Sequence, residues 1–160
     1  MPVYNEFRQQ LPVLFTLAMQ QSPLGSSIVG GNMTLVENSI GTVWQINTKG
    51  KILFLEDTRV YPYAIERSLD HLKQAHILDK VQAVIFGDFI NSGNDDLVEI
   101  VKTRFAKSVN VPVFTIQGIG HGPINDPLPL NTRTIIGVQD KEEGSFFMDV
   151  QMHCIHSAGR

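Results

Sequence analysis

The 160 residues are 42% hydrophobic and 18% charged, the balance of one globular domain with a sizeable core and too apolar for a disordered chain. A formal net charge of -3 argues against a nucleic-acid partner, because phosphate binding draws on a surplus of Lys and Arg. No apolar run approaches the ~20 residues of a membrane-spanning helix, and the one cysteine, Cys154, forms no internal disulfide, so a cytoplasmic location is expected.

Taken in chain order, Leu11 to Met19 is short and apolar like the core of a signal peptide. Its flanks disagree: Glu6 and a single basic residue, Arg8, precede it, and the turn-rich Ser22–Ser27 stretch follows in place of a small-x-small cleavage site. Residues 1–28 are therefore expected to be a connector or helical segment ahead of a domain over 29–160. Asn32 can cap a helix through Leu35 and Val36, with Gly41 at its end. Val43 to Ile46 reads as a short strand with Trp44 available to pack, and Thr48–Lys51 as a turn. Ile52–Leu55 is a continuous apolar run, the mark of a strand covered on both faces.

Pro62 suits a first helical turn, and Ile65, Leu69 and Leu72 recur at helical spacing, with Lys73 and Lys80 toward the C-terminal end of that region. Val81–Phe86 predicts a second buried strand closed by Gly87. Asp95 and Asp96 open a further helix with Leu97, Val101 and Phe105 as its core stripe. Val111–Ile116 predicts a third strand, with Pro112 near its start. Thr134–Val138 and Phe146–Met152 predict an antiparallel pair around the Lys141–Gly144 turn. Strand, helix, strand, helix, strand implies parallel crossovers, so the fold class is α/β: a mixed, mainly parallel sheet flanked by helices, parallel in the middle and antiparallel at one end.

Ligands of open α/β sheets gather at the carboxyl ends of strands. Three such ends carry polar groups: Glu56-Asp57, Gly87-Asp88, and Gly118-Ile-Gly-His-Gly122 with Asn125 and Leu128-Pro-Leu130 behind it. A carboxylate and His121 delivered to one edge form an orienter–base pair, the acid fixing the imidazole tautomer and the imidazole taking a proton from a nucleophile. Glycines on both sides of His121 permit a tight, exposed loop. On the residues alone, a helix-capping Glu56 and a surface-loop His121 remain an equal alternative.

The order and spacing of Gly30-Gly-Asn32, Gly41-Thr42, Lys51-Ile-Leu-Phe-Leu-Glu-Asp57, Pro62-Tyr63, Ile65-Glu-Arg67, Phe86-Gly-Asp88, Gly120-His-Gly122, Asn125 and Leu128-Pro-Leu130 resemble the LD-carboxypeptidase family. That family comprises serine peptidases that trim murein tetrapeptides, together with the microcin-immunity peptidases. The resemblance covers Val29 to Val138 and implies the swivelling β/β/α-type C-terminal domain, no metal or organic cofactor, and removal of a terminal D-alanine from an L-configured centre. It matches Glu56 and His121 to the glutamate and histidine of a Ser-His-Glu triad. Asp57, Asp88 and Asn125 then read as loop-ordering residues.

The chain departs from the family pattern at the nucleophile. The resemblance places the serine and the oxyanion-hole backbone in a preceding N-terminal domain, and no Gly-x-Ser-x-Gly elbow stands here to replace it. Ser26, Ser27, Ser68 and Ser92 lack a nucleophile's turn context. The implied partners are a murein peptide, the missing N-terminal domain and a second copy of the chain, with no nucleic acid and no membrane. The rival expectation is a non-catalytic remnant that binds peptide or dimerises.

Other features are weaker. His153-Cys-Ile-His156 lacks the second ligand cluster of a structural zinc site. Gly118-x-Gly-x-Gly122 lacks the Lys-Ser/Thr of a phosphate loop. Phe146-Phe147 reads as core or interface, and Glu66 and Arg67 as solvated or interface charges.

Overall fold

The computed structural model describes residues 6–11, 13–15, 23–140 and 145–151. In chain order the elements are β1 (Glu6–Leu11), β2 (Val13–Phe15), β3 (Leu24–Asn32), α1 (Met33–Asn38), β4 (Ile52–Thr58), α2 (Pro62–Gln74), β5 (Ala83–Ile90), α3 (Asp95–Ser108), β6 (Val113–Thr115), β7 (Arg133–Asp140) and β8 (Ser145–Gln151). They build one mixed sheet in the order β1-β8-β7-β3-β4-β5-β6-β2. Strands β3 to β6 run parallel, each joined to the next through a helix. β7, β8 and β1 continue antiparallel beyond β3, and β2 adds a second antiparallel edge on β6 that the sequence reading did not include.

Period-2 alternation along the parallel strands sorts the apolar residues into two layers. Leu53, Leu55, Val84, Phe86 and Val113 pack under Met33 and Val36 of α1, Ile65, Leu69 and Leu72 of α2, and Val98, Val101 and Phe105 of α3. Ile52, Phe54, Ile85 and Phe114 face the other way and meet Ile136, Phe146, Met148 and Val150 of β7 and β8. The Phe114 and Phe146 rings touch edge to face at 5.5 Å although their strands stand well apart in the sheet order. The sheet therefore curls onto itself. The helices cover one face, and the curl, rather than a second helical layer, covers the other. Burying each of these side chains contributes roughly 1.5–3 kcal/mol.

Several local expectations shift. Among the described residues of 1–28 there are strands and no helix: β1 joins β8 and β2 joins β6, and β3 runs across the expected boundary at 28/29. The residues of Leu11–Met19 beyond Phe15, and the Lys141–Gly144 turn, lie outside the described residues. Val43–Ile46 is turn and loop, with Val43 and Trp44 exposed: Ser39 Oγ accepts from the Ile46 N–H, the Gln45 side chain turns back to accept from the Gly41 N–H, and none of the described strands pairs with the segment. α1 is capped by Asn32, whose Oδ1 accepts from the Leu35 N–H, but it closes on Ser39, two residues before Gly41. β5 continues past Gly87 to Ile90. In α3 Val101 and Phe105 are buried as expected, but Val98 rather than Leu97 begins the stripe, and Leu97 is exposed at its margin.

The sheet's tightest approach is at Gly30. A Cβ there would stand 1.9 Å from the Phe54 carbonyl oxygen, and its φ of +124° is one that L side chains rarely adopt. Gly30→Ala is expected to lower stability by about 3 kcal/mol or more, backbone strain and overpacking acting together, as read from urea unfolding.

Candidate active site

Glu56 and Asp57 are adjacent on β4, so their side chains leave opposite faces of the sheet. Glu56 follows Ile52 and Phe54 onto the curled face, and Asp57 follows Leu53 and Leu55 to the helical side. Both are buried.

Asp57 is fully engaged in structure. One carboxylate oxygen accepts from the Asn32 amide and the Thr58 N–H, and the other accepts from the N–H and hydroxyl of Thr34. The carboxylate thereby ties the start of α1 to the end of β4. Thr34 was missed in the sequence reading; its signal was the spacing Asn32-Met-Thr34 at a helix start opposite a strand that ends in an acid.

Glu56 has a different partner. The chain leaves β6 at Thr115, passes through Gly118 and Gly120, both at positive φ, and returns His121 over the sheet edge. His121 Nδ1 lies 2.6 Å from Glu56 Oε2. The carboxylate is 7% exposed and the imidazole 50%. A buried carboxylate accepting from Nδ1 fixes the tautomer with the proton on that nitrogen and leaves Nε2 as an acceptor. The two residues singled out from strand-end placement are thus in contact, and the helix-cap alternative for Glu56 does not hold. A Cβ on Gly120 would sit 3.0 Å from Glu56 Oε2, so the glycine is what lets the loop descend onto the carboxylate.

The loop holds itself closed. The Asp126 N–H donates to the Gly118 carbonyl at 2.7 Å, and the Gly120 N–H donates to Asn125 Oδ1 at 3.2 Å. Asp88 Oδ1 accepts from the Gly118 N–H. The loop-ordering contacts expected of Asp57, Asp88 and Asn125 are therefore present. An open cavity of about 400 Å³ adjoins Glu56, lined by Gly31, Phe54, Ile119, Asn125, Leu128 and Leu130 among others; it is large enough for a small-molecule or peptide end group.

Among the described residues no serine hydroxyl bonds to His121. Ser26 donates to the Gly50 carbonyl, and Ser92 to that of Ile90. Ser68 belongs to a second Ser–His–Glu grouping, in which Glu37 of α1 bonds to both Ser68 Oγ and His71 Nδ1 of α2. The glutamate stands in the middle there, so the imidazole does not touch the hydroxyl. This arrangement ties α1 to α2 and is not a catalytic relay. Glu66 pairs with Arg104 across α2 and α3 at 2.7 Å. Phe146 is core, and the ring of Phe147 covers Gly137. His153, Cys154 and His156 lie outside the described residues; among the described ones no cluster of three or more His, Cys, Asp or Glu could hold a metal, and no helix is long and apolar enough to cross a membrane.

The α/β fold places an acid–histidine pair at the carboxyl edge of its parallel strands, where ligands of open sheets gather. The model of the LD-carboxypeptidase C-terminal domain matches residues 25–136, and the chain belongs to that family. A Rickettsia prowazekii protein whose name places it among the carboxypeptidases is 45% identical over 135 residues, covering 84% of this chain and 42% of the relative. A Bacillus subtilis protein whose name places it among murein peptide carboxypeptidases is 36% identical over 140 residues, covering 79% of this chain and 44% of its own length. The crystal structure of a muramoyltetrapeptide carboxypeptidase from Oxalobacter formigenes superposes with a TM-score of 0.75 at 25% identity, over 93% of this chain and 51% of that one. The chain thus spans about two-fifths of the length of the curated relatives it matches.

The Glu37 grouping sets an acid limit on stability. Burial pushes its carboxyl up, but the Ser68 hydroxyl, the His71 ring and the positive charge of Arg67 outweigh this and hold it below the ordinary 4.5. A lowered folded-state value contributes stability that is complete above the unfolded value and lost as pH falls below 4.5 through the folded one. Thermal unfolding should show Glu37→Gln destabilised at neutral pH, with a flatter loss than the parent below pH 4.5.

Proposed function

We propose that this domain supplies the Glu56–His121 half of a Ser-His-Glu triad in a serine-type LD-carboxypeptidase, which removes the terminal D-alanine of murein tetrapeptides. The observation that carries the reading is the 2.6 Å contact between the buried Glu56 carboxylate and His121 Nδ1. The names of the relatives supply the substrate class, since those from B. subtilis and O. formigenes refer to murein peptides and muramoyltetrapeptide.

In the proposed reaction His121 Nε2 takes the proton of a serine hydroxyl as the oxygen attacks the carbonyl of the scissile bond. Glu56 stabilises the imidazolium that forms. The imidazolium then protonates the departing D-alanine nitrogen, and a water activated by the same ring hydrolyses the acyl-enzyme. The serine comes from an N-terminal domain, either as part of a longer chain or as a separate polypeptide, and the peptide lies in the cleft between the two domains. No metal or organic cofactor takes part. The reaction is placed in the cytoplasm, with the assembled enzyme a homodimer.

D-alanine release from a murein tetrapeptide, followed by mass spectrometry, tests this directly. The 160 residues alone should release none, and addition of the N-terminal domain of a relative should restore turnover. In the restored enzyme His121→Ala and Glu56→Gln should each lower kcat by about 10³-fold or more. Near-parental rates in either variant would remove that residue from the triad. Failure of complementation together with retained tetrapeptide binding would favour the non-catalytic peptide-binding domain.

A further inference from the structure

The pairing of β4 with β5 is irregular beside the site. Leu55 pairs with Phe86 and Asp57 with Phe89, so Glu56 alone on β4 faces two residues, Gly87 and Asp88, on β5. This is a β-bulge, a device that re-aims a side chain and bends its strand. It places both Phe86 and Phe89 on the helical side, where their rings meet edge to face at 5.9 Å, and leaves Asp88 as the extra residue at the strand's end.

Asp88 holds the histidine loop by two hydrogen bonds and by close packing against Gly122. Its N–H donates to the Ile119 carbonyl at 2.9 Å, and its Oδ1 accepts from the Gly118 N–H at 3.2 Å. Its other carboxylate oxygen lies where Gly122 passes, 2.9 Å from the position a Cβ there would occupy. Gly120 fits between the two acids: its Cβ would stand 3.0 Å from Glu56 Oε2 and 3.3 Å from Asp88 Cβ. The backbone from 118 to 122 is thus moulded on Asp88, and His121 is the residue between the two closest glycines.

We infer that Asp88 is a positioning residue, which through the β5 bulge holds the 118–122 loop at the height where His121 Nδ1 meets Glu56. The inference rests on the proposed function only for its kinetic consequence. The geometric part concerns this chain alone. Asp88 touches no reacting atom; it acts on the loop backbone. Without its carboxylate the loop keeps the Asp88 N–H to Ile119 bond and the Gly118–Asp126 and Gly120–Asn125 closures, but the Gly118 N–H loses its acceptor and the 118–122 backbone loses the side chain it is packed on.

Long-range proton–nitrogen NMR spectra of the 15N-labelled chain report the His121 tautomer whether or not the protein is active. The parent should show the Nδ1-protonated form. Asp88→Ala should show a mixture of both tautomers, while Asp88→Asn, which keeps an acceptor for the Gly118 N–H, should resemble the parent. Gly122→Ala presses on Asp88 from the other side, with a further tight approach of 3.3 Å to the Ile124 carbonyl, and should shift the tautomer in the same direction. The double variant should be no worse than Asp88→Ala, because removing the carboxylate makes room for the methyl group.

In the complemented enzyme Asp88→Ala should lower kcat by about 10- to 100-fold with little change in KM, the signature of a misplaced base. A parental His121 tautomer in folded Asp88→Ala, or a Gly122→Ala effect that adds in full to it, would overturn the inference. If Asp88→Ala does not fold, a parental spectrum in Gly122→Ala overturns it instead. Loss of the single tautomer with D-alanine release unchanged would support the positioning role and count against the catalytic reading of the pair.

Discussion

A carboxylate that leaves water must find a donor or pay heavily in free energy, and Glu56 is buried with one imidazole nitrogen within reach. Much of the local architecture answers that demand. β4 brings the acid to the curled face by alternation from Ile52 and Phe54. Gly30 lets β3 run flush against Phe54, two residues before the acid on β4. Gly120 lets the loop after β6 reach down to the acid, the Asn125 and Asp126 contacts close the loop on itself, and the Asp88 bonds to Ile119 and Gly118 tie it to β5. The contact joins residues 65 positions apart in the chain, so it exists only once the two parallel pairings β4–β5 and β5–β6 are in place.

Two neighbouring acids on one strand end serve opposite needs. Asp57 points to the helices and has its lone pairs filled by Asn32, Thr34 and Thr58; it is a joint between α1 and β4. Glu56 points to the curled face and meets a half-exposed ring. A carboxylate saturated by amide and hydroxyl donors has little to offer a proton-transfer step. One that shares a single short contact with a solvent-facing imidazole orients that ring and stabilises its charged form. The same contrast separates the Glu37–Ser68–His71 grouping from the edge site, since there the glutamate is occupied by both partners.

The parallel strands and the helices were legible in the sequence because their signals are strong and local: a four-residue apolar run at Ile52–Leu55, Pro62 ahead of Ile65, Leu69 and Leu72, and Asp95-Asp96 at a helix start. Strand-end placement drew attention to His121 and to the acids Glu56, Asp57 and Asp88 but did not choose among them; the motif resemblance matched Glu56 to His121. Other features depend on partners distant in sequence. β2 is three residues long and owes its strand geometry to β6. Val43–Ile46 has strand-like composition but no neighbour with which to pair. In α3 only Leu97 was misplaced: burial of Lys102 and Ala106 beside Val101 and Phe105 centres the covered face on Val98, and a buried lysine is not something an apolar pattern marks. The bulge at Gly87-Asp88 is a register property of two strands, and a sequence read along one strand does not contain it.

The site geometry also bears on how an enzyme divided between two domains can work. Orientation of reacting groups is worth several kcal/mol of a barrier, and it is most costly when several groups must be ordered together. Here the acid, the imidazole tautomer and the loop height are all set within one domain, on a sheet edge and a loop tied to it at both ends. Under the proposed function, docking a second domain would then have to place one hydroxyl and one oxyanion pocket against a base already oriented. Half-exposure of the imidazole fits the same arrangement: the Nδ1 side is committed to Glu56, and under the proposed function the open side is where a second domain's hydroxyl would approach.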